Sequence, residues 1–352
     1  MLRIVGSAWR AISCGAIVLL YGSIVVDRVA SAEDKGLKTV GHIERLDPAL
    51  DKLVPRDAKM EVIGQGYIWC EGPAWVRDDN FLLFSDIPNN AIMRWDARSG
   101  SKLYLKPAGY TGKDARGGES GSNGLTFDQK GRLILCQHGD RRVARLDSSL
   151  QDPQPKYVTL ADRYEGKRFN SPNDAVVDSR GGIYFTDPPY GLEKGMEDPK
   201  KELPFQGVYR ISPDGVLRLL TSDMERPNGI AMSPDEKTLY VANSYDKRSI
   251  IMAYEIKKDA TLGDGRVFYD AAKTKGRPGS CDGLTVDANG NVFATIPGGV
   301  GIFAPNGKQL GLLNTGDRTA NCEFGGEDGS TLFIAANHRM LKIRTTAKGI
   351  GF

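Results

Sequence analysis

One short phrase recurs six times along this chain of 352 residues, and it constrains the fold more than any other feature. Each copy holds a polar residue, a small apolar run, a turn rich in Asp and Gly, and a second apolar run, as in NDAVVDSRGGIYFTD from Asn173. Two short apolar runs joined by such turn residues predict a β-hairpin. The copies begin at Glu71, Asn123, Asn173, Asn228, Asp282 and Asn321.

The spacing between copies predicts the architecture. It runs from 39 residues (282 to 321) to 55 residues (173 to 228), and further strand pairs such as 207–221 follow most copies. Six units of about four short strands each predict an all-β, six-bladed β-propeller. The last unit is short, so we expect the segment KMEVIGQGY (59–67) to supply its missing outer strand. The predicted organisation is a lead-in over 33–58 and one propeller domain over 59–352.

The first 32 residues differ from the rest of the chain. Arg3 and Arg10 supply positive charge, an apolar run follows over 11–26, and an A-x-A sequence ends at Ala32. This order is typical of a secretory signal peptide over 1–32, cleaved after Ala32. The expected location is therefore periplasmic or secreted, without stable membrane association after cleavage. The alternative is an inner-membrane anchor formed by residues 11–26.

Composition excludes some classes of protein. The net charge of +3 comes from scattered residues, which argues against a nucleic-acid partner. The sequence contains no C-x-x-C motif, so a zinc site or a redox-active pair of cysteines is not indicated. We favour small buried side chains over disulfides for the four cysteines that follow the leader: Cys70, Cys136, Cys281 and Cys322. A monomer is the expected state.

The polar residue that opens each copy stands directly before the innermost strand of its unit. Rotational symmetry would bring the six equivalent positions to a ring around the central channel. The ring holds two carboxylates and four amides, which are the hard oxygen ligands that Ca²⁺ or Mg²⁺ prefers. The alternative is that these residues only complete turns, as Asn and Asp often do. We predict a central metal-binding channel with one divalent cation, Ca²⁺ in the first place and Mg²⁺, Mn²⁺ or Zn²⁺ as alternatives.

Five segments resemble the gluconolactonase branch of the senescence-marker-protein-30/gluconolactonase family. They are CEGPAW (70–75), FNSPNDAVVD (169–178), FTDPPYGLE (185–193), RPNGIAMSPDEKTLYVANS (226–244) and CDGLTVDANGNVF (281–293). The resemblance implies a six-bladed propeller with a divalent metal, often Ca²⁺, in its channel. It also implies a lactonase, although relatives in the family hydrolyse phosphotriesters and related esters.

The resemblance also assigns residues to roles. Four match the family's metal ligands: Glu71, Asn173, Asn228 and Asp282. Asn123 matches a residue that contacts substrate in relatives, and Asn321, for which no role carries over, is grouped with it. His138, in CQHGDRR, follows the second strand of its unit, so we expect it near the channel mouth as a substrate-binding residue or else in a structural role.

The expected reaction is the hydrolysis of a sugar lactone of the glucono-1,5-lactone type to the aldonic acid. The metal would polarise the ring carbonyl, and Asp282 would act as catalytic base toward water, with direct attack by Asp282 as the variant. No G-x-S-x-G elbow occurs, and the chain has only three His, which disfavours a serine hydrolase. The alternatives are another lactonase or a phosphotriesterase on the same scaffold, and a non-catalytic binding propeller.

Overall fold

The computed structural model describes residues 36–352 apart from Lys275. The predicted signal peptide over 1–32 lies outside these described residues, so cleavage and location stay predictions. Helical structure within the described residues is limited to three 3-10 turns: Pro48–Lys52, Gly195–Glu197 and Ala271–Lys273. None of the helices in that part of the chain has the length and apolar character needed to cross a membrane.

Residues 36–221 contain seventeen strands. Three precede the first blade: β1 (Thr39–Val40), β2 (His42–Arg45) and β3 (Met60–Gln65). Blade 1 contains β4 (Cys70–Val76), β5 (Phe81–Asp86), β6 (Ala91–Asp96) and β7 (Gly100–Leu105). Blade 2 contains β8 (Ser122–Phe127), β9 (Leu133–Gln137), β10 (Arg142–Leu146) and β11 (Tyr157–Ala161). A separate hairpin follows, made of β12 (Arg163–Tyr164) and β13 (Lys167–Arg168). Blade 3 contains β14 (Ala175–Val177), β15 (Ile183–Asp187), β16 (Gly207–Ile211) and β17 (Leu217–Thr221).

The second half completes the propeller. Blade 4 contains β18 (Pro227–Met232), β19 (Thr238–Tyr245), β20 (Arg248–Ile256) and β21 (Leu262–Asp270). Blade 5 contains β22 (Leu284–Val286), β23 (Val292–Ile296), β24 (Gly299–Phe303) and β25 (Gln309–Asn314). Blade 6 begins with β26 (Asn321–Gly325), β27 (Thr331–Ala336) and β28 (Arg339–Arg344). The six sheets confirm the predicted all-β, six-bladed propeller.

Blade 6 is closed by a strand from the other end of the chain. Strand β3 pairs antiparallel with β28, with Gly64 opposite Met340, and so becomes the fourth strand of the blade. This confirms the closure predicted from segment 59–67. The chain before residue 59 also enters the sheets, because β1 pairs with β3 and β2 pairs with β25. Blades 5 and 6 therefore each have five strands.

A recurring Asp-x-x-Gly turn joins the first two strands of several blades. In blade 3 the Asp178 carboxylate accepts hydrogen bonds from the backbone N–H groups of Arg180 (3.0 Å) and Gly182 (2.7 Å). Gly181 adopts φ +88° there, which glycine tolerates without steric cost. Asp128 and Asp287 hold the equivalent turns in blades 2 and 5. The acidic turns in the sequence are thus the hairpin turns themselves.

The apolar core lies between neighbouring blades. Trp75 of blade 1 stacks on Phe333 of blade 6 with ring centroids 5.3 Å apart, and Phe293 of blade 5 meets Phe324 of blade 6 at 5.0 Å. All four described cysteines are buried and unpaired. Burial raises the pKa of Cys281 to about 12, so that thiol is unreactive near neutral pH. The blades are therefore held together mainly by apolar side chains that pack between their faces.

Candidate active site

The six polar residues predicted to form a ring all lie at the same edge of the inner strands. Four are at the beginning of their strands β4, β8, β18 and β26, and two precede β14 and β22 by two residues. Five of the six are buried: Glu71, Asn123, Asn173, Asn228 and Asn321. Asp282 is half-buried.

Contacts between neighbouring blades close the ring. Asn321 Nδ2 donates to Glu71 Oε2 at 3.1 Å, which joins blade 6 to blade 1. The backbone N–H of Gly124 donates to the carbonyl of Asn173 at 2.7 Å and joins blades 2 and 3. Thr186 of blade 3 donates its hydroxyl to the carbonyl of Asn228 at 2.6 Å. The structure therefore brings the predicted ring members together around one channel.

A glycine follows four of the ring residues, and close approach explains it. A Cβ atom at Gly124 would lie 2.4 Å from Asp174 Oδ1, and one at Gly283 would lie 2.0 Å from Asn321 Cγ. Such distances are far below van der Waals contact, so a side chain at Gly124 would collide with blade 3 and one at Gly283 would displace the Asn321 side chain. The Asn-Gly and Asp-Gly pairs in the sequence thus allow adjacent ring residues to approach each other.

Several carboxyl groups share the channel and oppose each other's ionisation. Burial raises the pKa of Glu71 to about 8, and the charges of Asp174 and Glu119 add to the shift. Burial also raises the pKa of Asp174 to about 6. For Asp282 burial comes first and the charge of Glu71 second, and together they hold its pKa well above the usual range. A divalent cation between these groups would relieve both effects.

Two buried oxygens in the ring have no hydrogen-bond partner among the described residues: Asn123 Oδ1 and Asp282 Oδ1. Each is an acceptor, so its missing partner is a hydrogen-bond donor or a cation. No three His, Cys, Asp or Glu side chains converge to hold a metal in residues 36–352 without Lys275. The predicted ligand set combines two carboxylates with two amides and so lies outside that class of site. Its oxygen chemistry fits Ca²⁺ or Mg²⁺.

Neighbouring groups orient two of the amides. Asn228 Nδ2 donates to Ser244 Oγ at 2.8 Å, and that hydroxyl donates to the carbonyl of Cys281 at 2.6 Å. Asn173 Nδ2 lies 3.4 Å from Nε2 of His138, which is completely buried. The amide nitrogens of Asn228 and Asn173 thus face protein groups, which leaves their oxygens for the channel.

Four further groups at this site were not predicted as site residues. Glu119 Oε2 lies 3.1 Å from His138 Nδ1. Burial raises the pKa of Tyr190, and the charge of Asp282 adds to the shift. Ser244 accepts a hydrogen bond from Asn228, and Asp174 directly follows Asn173. Glu119 stands four residues before Asn123 in a Gly-rich loop, and this closeness was the one sign of its role. The spacing does not show that the loop folds back toward His138.

A cavity of about 960 Å³, called the lower cavity, extends along the inner strands of the channel. Its lining reaches from Gly72, Asp174 and Asn321 at the ring to the far ends of the strands and the turns beyond them, including Met232 and the C-terminal Phe352. The carboxyl and amide groups described above lie at the ring end of this space. We therefore place the candidate site at the ring.

The fold and the site together define a propeller whose buried polar channel carries its functional groups. The chain belongs to the SMP-30/gluconolactonase/LRE-like family, whose model matches residues 69–338. The family inferred from the five sequence segments is thereby confirmed.

Three relatives illustrate the match. The chain is 40% identical over 318 residues to the gluconolactonase of Zymomonas mobilis subsp. mobilis, with 88% of each protein covered. It is 25% identical over 272 residues to pentonolactonase XacC of Haloferax volcanii, covering 75% of this chain and 80% of the relative. The solved structure of a gluconolactonase from Xanthomonas campestris superposes with a TM-score of 0.74 at 30% identity, covering 88% of this chain and 98% of that one.

Proposed function

We propose that this protein hydrolyses a sugar lactone of the glucono-1,5-lactone type to the aldonic acid, with one divalent cation bound by the channel ring. The observation that carries the proposal is the closed ring of buried oxygens, in which Asp282 Oδ1 and Asn123 Oδ1 have no partner among the described residues. The relatives support the class of reaction, since the protein is a lactone hydrolase by its similarity to the gluconolactonases.

Four residues would hold the cation: Glu71, Asn173, Asn228 and Asp282. We propose Ca²⁺, because two carboxylates balance its charge and amide oxygens complete the set without adding repulsion. When bound, the cation would supply Lewis-acid polarisation of the lactone carbonyl.

Asp282 is our proposed catalytic base. Its Oδ1 atom has no partner among the described residues, and the carboxylate, kept ionised by a bound cation, would accept a proton from the attacking water. Asn123, in blade 2, presents a second unpartnered oxygen at the ring, which suits a substrate hydroxyl. Asn321 uses both ends of its amide, since Nδ2 donates to Glu71 and Oδ1 accepts the N–H of Cys322 at 2.8 Å. If Asn321 also contacts the substrate, it must do so with amide atoms that already make these two hydrogen bonds.

The first test uses protein stripped with a chelator. Acid release from glucono-1,5-lactone is followed with and without Ca²⁺, Mg²⁺, Mn²⁺ and Zn²⁺, and compared with the spontaneous rate of the lactone. We expect a divalent ion to restore hydrolysis well above that rate. Tight cation binding with no hydrolysis of glucono-1,5-lactone or a pentonolactone would contradict the lactonase proposal. Full activity in the stripped protein would contradict the cation's role.

Asp282→Asn tests the base. Because the amide keeps an oxygen at the ring but is not a base, we expect kcat to fall by roughly 10²- to 10⁴-fold while the protein stays folded. The matched control is Asp264→Asn, which removes one exposed carboxylate from strand β21. Activity near that of the control would remove Asp282 from the mechanism.

A further inference from the structure

Three side chains contact one another in a row beside the ring: the carboxylate of Glu119, the imidazole of His138 and the amide of Asn173. His138 is completely buried and follows the last residue of β9. Its Nδ1 atom is 3.1 Å from Oε2 of Glu119, and its Nε2 atom is 3.4 Å from Nδ2 of Asn173. Nδ1 has no aligned hydrogen bond among the described residues, and the carboxylate of the part-exposed Glu119 is an acceptor within hydrogen-bond distance of it. The three side chains therefore form one chain of contacts that ends at a proposed cation ligand.

The chemistry of imidazole fixes which groups donate and which accept along this row of contacts. A neutral His carries its proton on one ring nitrogen and accepts at the other. A carboxylate only accepts, so Glu119 selects the tautomer with the proton on Nδ1. Nε2 is then an acceptor and takes a hydrogen bond from the amide N–H of Asn173. The oxygen of that amide consequently points away from His138, toward the channel.

The opposite tautomer would reverse the amide. With the proton on Nε2, His138 would donate to Asn173 Oδ1, and the NH₂ group would face the channel instead. An amide NH₂ has no lone pair to offer a cation, whereas the amide oxygen is a good ligand for Ca²⁺. Which atom of Asn173 faces the channel thus depends on which nitrogen of His138 carries the proton.

The loop that carries Glu119 is tied down on both sides of His138. The guanidinium of Arg116 donates to the carbonyls of Gly139 and Gly191, and the N–H of His138 donates to the carbonyl of Gly121 at 3.1 Å. A Cβ atom at Gly191 would lie 2.6 Å from Cβ of His138, so this backbone packs directly on the imidazole. The position of Glu119 is therefore part of a fixed arrangement.

We propose that Glu119 is a positioning residue that acts through His138 to turn the oxygen of Asn173 toward the cation. This inference rests on the proposed function, because it assigns Asn173 to the ligand set. It also gives His138 a role beside the ring: its two nitrogens connect Glu119 with Asn173.

Two substitutions of Glu119 separate the effect of charge from the effect of hydrogen bonding. Glu119→Gln removes the charge but keeps an oxygen that accepts from Nδ1, whereas Glu119→Leu removes both. Glu193→Gln is the matched control, because it removes another part-exposed carboxylate that lies 3.9 Å from Arg116 of the same loop. Thermal unfolding of each variant checks that the fold is intact.

Ca²⁺ affinity, measured by calorimetry on the chelator-stripped protein, is the first readout. We expect Glu119→Leu to weaken binding by about 10- to 100-fold, as loss of a group that orients a metal ligand does. Glu119→Gln should weaken it no more than Glu193→Gln. Equal affinities of the Leu and Gln variants would overturn the inference. Absence of Ca²⁺ binding in the wild type would instead contradict the proposed function.

The tautomer of His138, measured by long-range ¹H–¹⁵N NMR without metal, is the second readout. The chain has only three His, so the signals are readily assigned. We expect the proton on Nδ1 in the wild type and in Glu119→Gln, and a shift toward Nε2 in Glu119→Leu. A wild-type proton on Nε2 would overturn the inference whatever the outcome of the metal titration. A merely structural role of Glu119 would move neither the tautomer nor the difference between the two variants.

Discussion

At the scale of single residues, some features of the ring could be predicted from the sequence and others could not. The positions of Asn228 and Asp282 at the starts of their inner strands could be predicted, because strand periodicity places equivalent positions on one edge of the blades. The contacts of Glu119 could not be predicted, since they depend on the path of a loop whose sequence shows no regular pattern of apolar and polar residues. His138 was expected near the channel mouth, and the structure buries it beside Asn173. Its burial could not be predicted, because Gly191, which packs on it, comes from a distant loop.

Gly283→Ala tests the close approach of neighbouring ring residues. The new methyl group would meet the Asn321 side chain at 2.0 Å, so that side chain must move away from its place in the ring. We expect a loss of about 1–3 kcal/mol in the free energy of unfolding, together with weaker Ca²⁺ binding. Chemical denaturation and calorimetry measure the two effects. Gly117→Ala is the control, since nothing lies within 4 Å of its Cβ position. Equal stability of the two variants would show that the ring tolerates a side chain there.

At the scale of elements, the number of strands in each sequence unit was a better guide to the fold than the pattern within the shortest strands. The last sequence unit was one strand short, which pointed to β3 as the closing strand of blade 6, and the structure confirms it. The additions β1 and β2 were not predicted, because strands of two and four residues are too short to show an alternating pattern. The hairpin of β12 and β13, with two residues in each strand, escaped prediction for the same reason.

Two N-terminal deletions distinguish these strands. Removal of residues 33–46 takes away β1 and β2, which are fifth strands on blades that keep four, so we expect a folded protein with a lower melting temperature. Removal of 33–66 also takes away β3 and leaves blade 6 with three strands and an open edge. We expect that protein to lose cooperative unfolding, measured by circular dichroism. Cooperative folding without β3 would contradict its role in closure.

At the scale of the whole molecule, the channel has two different ends. The ring edge collects the groups assigned to chemistry, and the lower cavity of about 960 Å³ extends from the ring along the same strands to their far ends. Glu323 borders this lower cavity, where its Oε1 atom accepts hydrogen bonds from the N–H of Phe324 (2.7 Å) and from Thr285 (3.0 Å). Burial raises the pKa of Glu323 to about 7.

The raised pKa of Glu323 predicts a pH dependence of stability. The folded protein binds this proton more tightly than the unfolded chain, whose Glu pKa is about 4.3. The contribution to stability is therefore full below about pH 4 and is lost as the pH rises through about 7. Glu323→Gln keeps the acceptor but cannot ionise, so its melting temperature should fall less between pH 5 and 8 than that of the wild type. The exposed Glu327→Gln in the same blade is the control. Parallel profiles of wild type and Glu323→Gln would contradict the assignment.

The hydrogen bond from Asn321 to Glu71 has a consequence for the order of events during synthesis. It joins positions 250 residues apart, at opposite ends of the propeller sequence. A ribosome makes Glu71 early and Asn321 near the end, so the earlier blades emerge while the ring still lacks its last member. A nascent chain that stops before blade 6 would carry five blades and five ring residues but no closed circle. The protein can thus acquire its complete ring only after nearly the whole chain has been made, and a truncated product should be inactive from the outset.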